Sequence, residues 1–279
     1  MRKRRTLNLA SFVFSIGALV SFSMSVQGQS WRLSWSDEFN TAKGSGVSAA
    51  KWSAQSGGSG WGNQELEFYT GGTKNAEMDG RGSLVIKADK ELLSPEFKCW
   101  YGQCEYTSAR LTTKQKFSQA YGRVEARIKI PYGRGVWPAF WLLGSNIDQV
   151  GWPACGEIDI IENIGREPAI VHGTLHGPGY SAASSIGAPY TLPGGARFAD
   201  DFHVYAIEWE PNAIRWYVDG KLYETRTPAD LPAGTKWVYD HPFFIILNLA
   251  IGGTWPGMPD TTTIFPQTMM IDYVRVYHR

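Results

Sequence analysis

The chain has 279 residues, 43% of them hydrophobic, 14% aromatic and 19% charged, with a formal net charge of +1. Its only basic run is Arg2-Lys3-Arg4-Arg5, and without those four residues the charge is −3. The remainder carries no basic patch, which argues against nucleic acid and sulphated polymers and favours a neutral substrate.

The first segment reads as an address. The basic residues form an n-region, Leu7 to Val26 is apolar but diluted by five serines, and Val26-Gln27-Gly28 is a small-residue cleavage pattern. The stretch is long for such a segment, which is the argument for an uncleaved anchor. The serines and the small-residue end favour a signal peptide over 1–28, cut after Gly28. One domain is then expected over 29–279, without membrane association once the leader is removed. Its 251 residues suit a single large all-β domain.

Beyond that point apolar and polar residues alternate with period two. Leu84–Ala88, Arg123–Ile130, Val204–Trp209 and Ile271–Tyr277 read as strands. Ile214–Val218, the turn Asp219-Gly220 and Lys221–Glu224 read as a hairpin. Phe243–Ala250, apolar at every position but Asn248, reads as a strand buried on both faces. No helix of normal length is predicted. Gly and Pro punctuate the chain at short intervals, and a two-sheet antiparallel sandwich is the expected architecture. Three loops rich in Gly, Ser or Pro, Gly44–Gly60, Lys90–Cys104 and Gly177–Asp200, are expected around the mouth of a cleft.

An exported chain permits disulfides. Cys99 and Cys104 flank a short loop and are able to pair, which leaves Cys155 over. Cys155 is read as a small buried thiol rather than a nucleophile.

Gly156-Glu157-Ile158-Asp159-Ile160-Ile161-Glu162 places three carboxylates in six residues of a strand. Like charges so close repel, so the arrangement calls for a reason. Glu157 and Asp159, two apart, share a face. Glu162 would face the other way in a regular strand. One extra residue at Ile160-Ile161, a β-bulge, brings it back. Two carboxyls on one face with a third between them are the parts of glycoside hydrolysis, and a concave sheet would bring the outer two to about 5–5.5 Å, the retaining spacing. The run alone does not assign their roles.

At these residues the chain resembles glycoside hydrolase family 16, in its bulged E-x-D-x-x-E form. The resemblance extends over nearly all of the mature chain. It includes Trp61-Gly62-Asn63-Gln64-Glu65-Leu66, Ser108–Thr113, Val136–Leu143, Gly173-Thr174-Leu175-His176-Gly177 and Asn248–Gly253. It implies a β-jelly-roll sandwich, concanavalin A-like, and a retaining double displacement. Glu157 is the implied nucleophile, Asp159 the assisting acid and Glu162 the general acid/base. The flanking segments look like bacterial laminarinases, which implies a secreted or periplasmic endo-β-1,3-glucanase acting on β-1,3-glucan as a monomer. The other readings are a mixed-linkage β-1,3(4)-glucanase, an agarase-like galactanase, and a β-glucan-binding lectin. Both glutamates are present, and lectins of this fold have typically lost one or both.

Sugar faces stack on aromatic rings, and the chain holds 12 Trp. Trp137, Ala139 and Trp141 share a strand face, so both indoles are expected to line the cleft. Pro138 between them cannot donate to a ladder, which predicts a bulge or an edge there. Asn63 and Arg110 resemble the family's contacts to glucose hydroxyls on the non-reducing side. His176, on one face with His172 and Thr174, and Trp255 complete the expected sugar-binding set. No cofactor is expected for catalysis. The resemblance also implies a structural calcium on the convex side, at Glu38, the backbone of Gly82, and Asp272.

Overall fold

Alternation builds the sheets. In the strand Gly122–Lys129, Val124, Ala126 and Ile128 are buried. The intervening Arg123, Arg127 and Lys129 stay partly exposed. Glu125 is also buried, on the outward face, where Arg123 Nε donates to it at 2.8 Å. The computed structural model describes residues 30–91 and 95–279. The predicted leader lies outside them. Trp31–Arg279 form one compact unit.

Two main sheets result. The larger has ten strands, with Gly122–Lys129 and Gln267–His278 at its centre. The other has seven, in the order Ile186–Thr191, Ile170–His176, Glu157–Glu162, Val136–Gly144, Phe243–Ile251, Arg110–Thr112 and Ser53–Gln55. Both are antiparallel apart from one parallel pairing, Glu67–Tyr69 with Tyr106–Ser108. Asp219 and Gly220 take the positive φ that their turn requires, +50° and +76°. Every residue of Phe243–Ile251 is buried. Among the described residues the one α-helix has four residues, Ile147–Val150, and no helix is long and apolar enough to cross a membrane.

The core lies between the sheets. Ile158, Ile160, Ile161, Phe140, Leu142, Leu247 and Leu249 pack into one cluster with Ile207, Ile214, Trp216 and Val274 of the larger sheet. Each fully buried side chain of this kind contributes about 1.5–3 kcal/mol. The acidic strand therefore has one face fixed in the core. Its carboxylates must point the other way.

Two sequence expectations need correction. Val136–Gly144 is neither at an edge nor bulged at Pro138, because it pairs with the acidic strand on one side and Phe243–Ile251 on the other. Proline is tolerated for a local reason. Its carbonyl accepts the N–H of Asn163, one residue past the end of the acidic strand. In a strand a residue's N–H and C=O face the same neighbour. The missing donor of Pro138 thus falls where that neighbour has run out. The second correction concerns the loops. Among the described residues of the three, only those of Gly177–Asp200 line the cleft, through Ala182, Ala183, Ser185, Gly187, Ala188 and Pro189. Gly44–Gly60 supplies the edge strand Ser53–Gln55. Lys98–Cys99 and Gly102–Gln103 form a small hairpin closed by a Cys99–Cys104 disulfide. Gly, Ser and Pro mark where a chain turns, not which end of the sandwich it caps.

Candidate active site

The bulge forms at the predicted place. On one side Glu157, Ile158 and Asp159 pair with Leu143, Leu142 and Trp141, while Ile161 and Glu162 pair with Phe140 and Ala139. Ile160 is skipped. On the other side Glu157, Asp159 and Glu162 face His176, Thr174 and His172. Ile160 and Ile161 both turn into the core, 2% and 0% exposed. Glu157, Asp159 and Glu162 all turn outward, into a cleft of about 960 Å³. Gly156 before them has φ +72°, and a Cβ there would meet Phe243 and Val238 at 2.9 and 3.0 Å. The entry to the strand thus excludes side chains.

Each carboxyl has its own company. Trp152 Nε1 donates to Glu157 Oε2 at 2.9 Å, and Trp137 Nε1 donates to Glu162 Oε1 at 3.0 Å. His176 Nε2 lies 3.1 Å from Asp159 Oδ2 and 3.6 Å from Glu157 Oε1. The backbone N–H of Ala182 donates to His176 Nδ1 at 3.1 Å. The neutral ring must then carry its proton on Nε2, facing the acids. The ligand atoms of Glu157, Asp159 and His176 all lie within 4.8 Å of one another, so a cation would find donors there.

Burial raises the proton affinity of all three acids. It is the first cause for Glu157, whose pKa is pushed up to about 8, and the Asp159 charge is the second. His176, the Trp152 N–H and Arg110 pull the other way. Glu162 is held well above the usual carboxylate range, by burial first and Asp159 next. Asp159 is also raised well above it, by burial. Three negative charges therefore do not coexist near neutral pH. Protons are shared over the cluster. The surroundings separate the two glutamates: His176, Trp152 and Arg110 favour the anion of Glu157, whereas only His176 and Trp137 do so for Glu162.

Every sugar-binding residue expected from the sequence lines this cleft: Asn63, Arg110, Trp137, Trp141, His176 and Trp255. The Arg110 guanidinium lies between Trp61 and Trp141, 4.9 and 4.7 Å from their ring centroids, and its Nε donates to Gln55. Trp255 packs edge-on against Trp137 and His172. Arg166 Nη1 donates to the carbonyls of Trp255 and Pro256, fixing that loop. Sequence reasoning missed Trp61, Glu65, Trp152, His172 and Asn248 as cleft residues. His172 was legible as a strand-face neighbour of His176. Trp152 sits in a loop, where no periodicity tells which way a ring turns.

The three residues expected to hold calcium do not gather as a carboxylate cluster. Both oxygens of Glu38 are bound by Arg275, at 3.0 and 2.7 Å. Arg127 pairs with Asp272 at 2.8 Å. Gly82 lies against Asn40. The two carboxylates already neutralise arginines, so they do not fit the role of open hard-cation ligands.

The family model for glycosyl hydrolases family 16 matches residues 62–275. The beta-glucanase of Rhodothermus marinus is 40% identical over 293 residues, covering 99% of this chain and 96% of its own. The laminarinase catalytic domain of Thermotoga maritima MSB8 superposes with a TM-score of 0.83 at 50% identity, covering 90% of this chain and 99% of its own. The endo-beta-1,3-glucanase of Pyrococcus furiosus gives the same score and identity, over 91% and 97% of the two chains.

Proposed function

The chain belongs to glycosyl hydrolase family 16, and from that premise we propose that it cleaves internal β-1,3-glucosidic bonds with retention of configuration. The observation that carries the reading is the bulge at Ile160, which turns three acids of one strand into one aromatic-lined cleft. Its relatives among solved structures include laminarinases and an endo-beta-1,3-glucanase, beside a non-specific endo-beta-1,3(4)-glucanase.

In this reading Glu157 attacks the anomeric carbon, and Glu162 gives its proton to the departing glycosidic oxygen. A covalent glycosyl-enzyme forms between the sugar and Glu157. Glu162, now an anion, takes a proton from water, and the water's oxygen displaces Glu157 from the anomeric carbon. That proton restores Glu162 to its acid form, Glu157 departs as a carboxylate, and the sugar leaves with its original configuration. Trp152 and His176 hold Glu157 in place for attack. Asp159 keeps the proton on Glu162 through its nearby charge. The sequence uses only the chain's own carboxyls, so no metal or cofactor enters it.

Asn63, Arg110 and Trp141 bind the non-reducing side, and Trp137 and Trp255 flank Glu162. Export through cleavage after Gly28, action outside the cytoplasm and a monomeric state belong to the same proposal. The test is Glu157→Gln, assayed for new reducing ends on laminarin beside lichenan and agarose. A folded variant that keeps most of its activity would remove Glu157 from the nucleophile's role. Wild-type turnover of agarose in preference to laminarin would reassign the substrate.

A further inference from the structure

Beneath Asn63 lies a second pair of acids that the double displacement does not use. Glu65 is 3% exposed and Glu67 is fully buried. Their carboxyls lie against each other. The hydrogen-bond partners of both are neutral. Asn63 Nδ2 donates to Glu65 Oε1 at 2.9 Å, and Tyr69 Oη donates to Glu65 Oε2 at 2.9 Å. The Ile251 N–H donates to Glu67 Oε2 at 2.6 Å. Glu67 Oε1 is buried and meets no donor.

Two adjacent buried anions with no cation bonded to either are not stable, so the pair is expected to hold one proton. The donors decide where it sits. Glu65 receives a donor on each oxygen, which suits an anion. Glu67 receives one, on Oε2, and its other oxygen meets no donor. A protonated Glu67 Oε1 donating to Glu65 satisfies both groups.

The network then runs in one direction. Trp141 Nε1 donates to Asn248 Oδ1 at 2.7 Å, and Asn248 Nδ2 donates to Tyr69 Oη at 3.2 Å. Tyr69 donates to Glu65, as do Asn63 and Glu67. All five steps point toward Glu65. The chain starts at the indole expected to bind sugar and ends on a buried charge. It also fixes the amide of Asn63: with Nδ2 committed to Glu65, Oδ1 is the atom offered to a sugar hydroxyl.

We propose that Glu65 and Glu67 are positioning residues that share one proton, with Glu65 the buried anion that orients Asn63 and Trp141 toward the substrate's non-reducing side. The proposal rests on the function given above, and it names what aligns the binding wall of that cleft. Neither residue reaches the reacting atoms.

The test uses the Glu65→Gln, Glu67→Ala and Glu67→Gln variants of the whole protein. Glu65→Gln and Glu67→Ala raise KM for laminarin about tenfold, with kcat within about twofold of wild type, the loss expected for a charge-assisted bond. Glu67→Gln keeps a donor toward Glu65 and an acceptor for Ile251, and it restores the wild-type KM. An infrared difference spectrum, wild type minus Glu67→Gln at neutral pH, shows a protonated carboxylic C=O stretch. The proposal is overturned if that band is absent, or if Glu67→Gln is as impaired as Glu67→Ala. Should Glu67→Ala fail to fold, the glutamine variant and the spectrum still decide. If the wild type cleaves no β-glucan, the proposed function fails while the spectrum still reports the shared proton.

Discussion

The indole N–H of Trp216 donates to the backbone carbonyl of Asp159 across 2.8 Å. The two residues belong to opposite sheets, so this bond crosses the sandwich core and lands where the acidic strand slips in register. A buried carbonyl at a slipped ladder needs a donor from elsewhere. Trp216→Phe fills most of the same space and supplies none. It is expected to cost about 1–3 kcal/mol of stability. It should also lower kcat more than it changes KM, because the bulge aims Glu162. Urea unfolding together with laminarin kinetics checks both, and an unchanged variant would show that the bulge holds itself.

Gly173 makes room for that indole. A Cβ at 173 would lie 2.6 Å from Trp216 Cδ1 and 2.6 Å from Tyr223 Oη. Gly173→Ala should therefore destabilise by about 1–3 kcal/mol through overpacking. Combined with Trp216→Phe, its effect should be less than additive, since both act on one contact. Full additivity in a double-mutant cycle would place the strain elsewhere.

Glu162→Ala should lower turnover by about 10²–10⁴-fold, the usual worth of a positioned acid/base. Added azide should restore part of it, because a small anion attacks the glycosyl-enzyme without needing a base. The product to detect is the glycosyl azide. A dead variant that azide leaves dead would take Glu162 out of the acid/base role.

The pH dependence follows from Asp159. Its charge raises the proton affinity of Glu157 and Glu162 beyond what burial does. Asp159→Asn removes that contribution, so Glu162 loses its proton at lower pH. The alkaline limb of kcat/KM should move acidward. Stability carries a related sign. Glu157 binds its proton more tightly in the fold, at about 8, than at its ordinary value of 4.5. The folded state therefore loses stability as pH rises through that window, and Glu157→Gln should be relieved of the loss. The variant should gain on the wild type from about pH 4.5 to pH 8 in parallel thermal scans. A constant difference would contradict the shift.

Cys155 is fully buried, with its thiol pushed up to about 11 by burial and by the Glu157 charge. Cys99 and Cys104 are joined. Native protein should give no thiol by Ellman titration, and unfolded, unreduced protein should give one. A native thiol that reacts at once would show Cys155 to be accessible. Opening the short Cys99–Cys104 loop should cost about 2 kcal/mol on the chain-entropy account.

Much of this was readable because it is local. Period two announced the strands, and Ile158 and Ile160 announced which face of the acidic strand is apolar. The same alternation required one residue to be skipped before Glu162, and Ile160 is the one skipped. What could not be read depends on distant partners. Pro138 sits in a central strand because a neighbour ends beside it, and nothing near Pro138 in the chain says so. Trp152 reaches Glu157 from a loop, and His176 acquires its tautomer from Ala182. Glu38 and Asp272 found arginines that lie far from them in sequence, Arg275 for one and Arg127 for the other.

The surplus isoleucine has a consequence for how such a strand tolerates insertions and deletions. Without Ile160 the run becomes Glu-Ile-Asp-Ile-Glu, which alternates regularly and still presents every acid to the groove. A change of one residue here is thus neutral for orientation, whereas one residue elsewhere in a strand inverts everything downstream. What it alters is the reach between the outer carboxyls. Strand length at this spot behaves as a tuning screw for that gap, independent of whether the acids face the polymer at all.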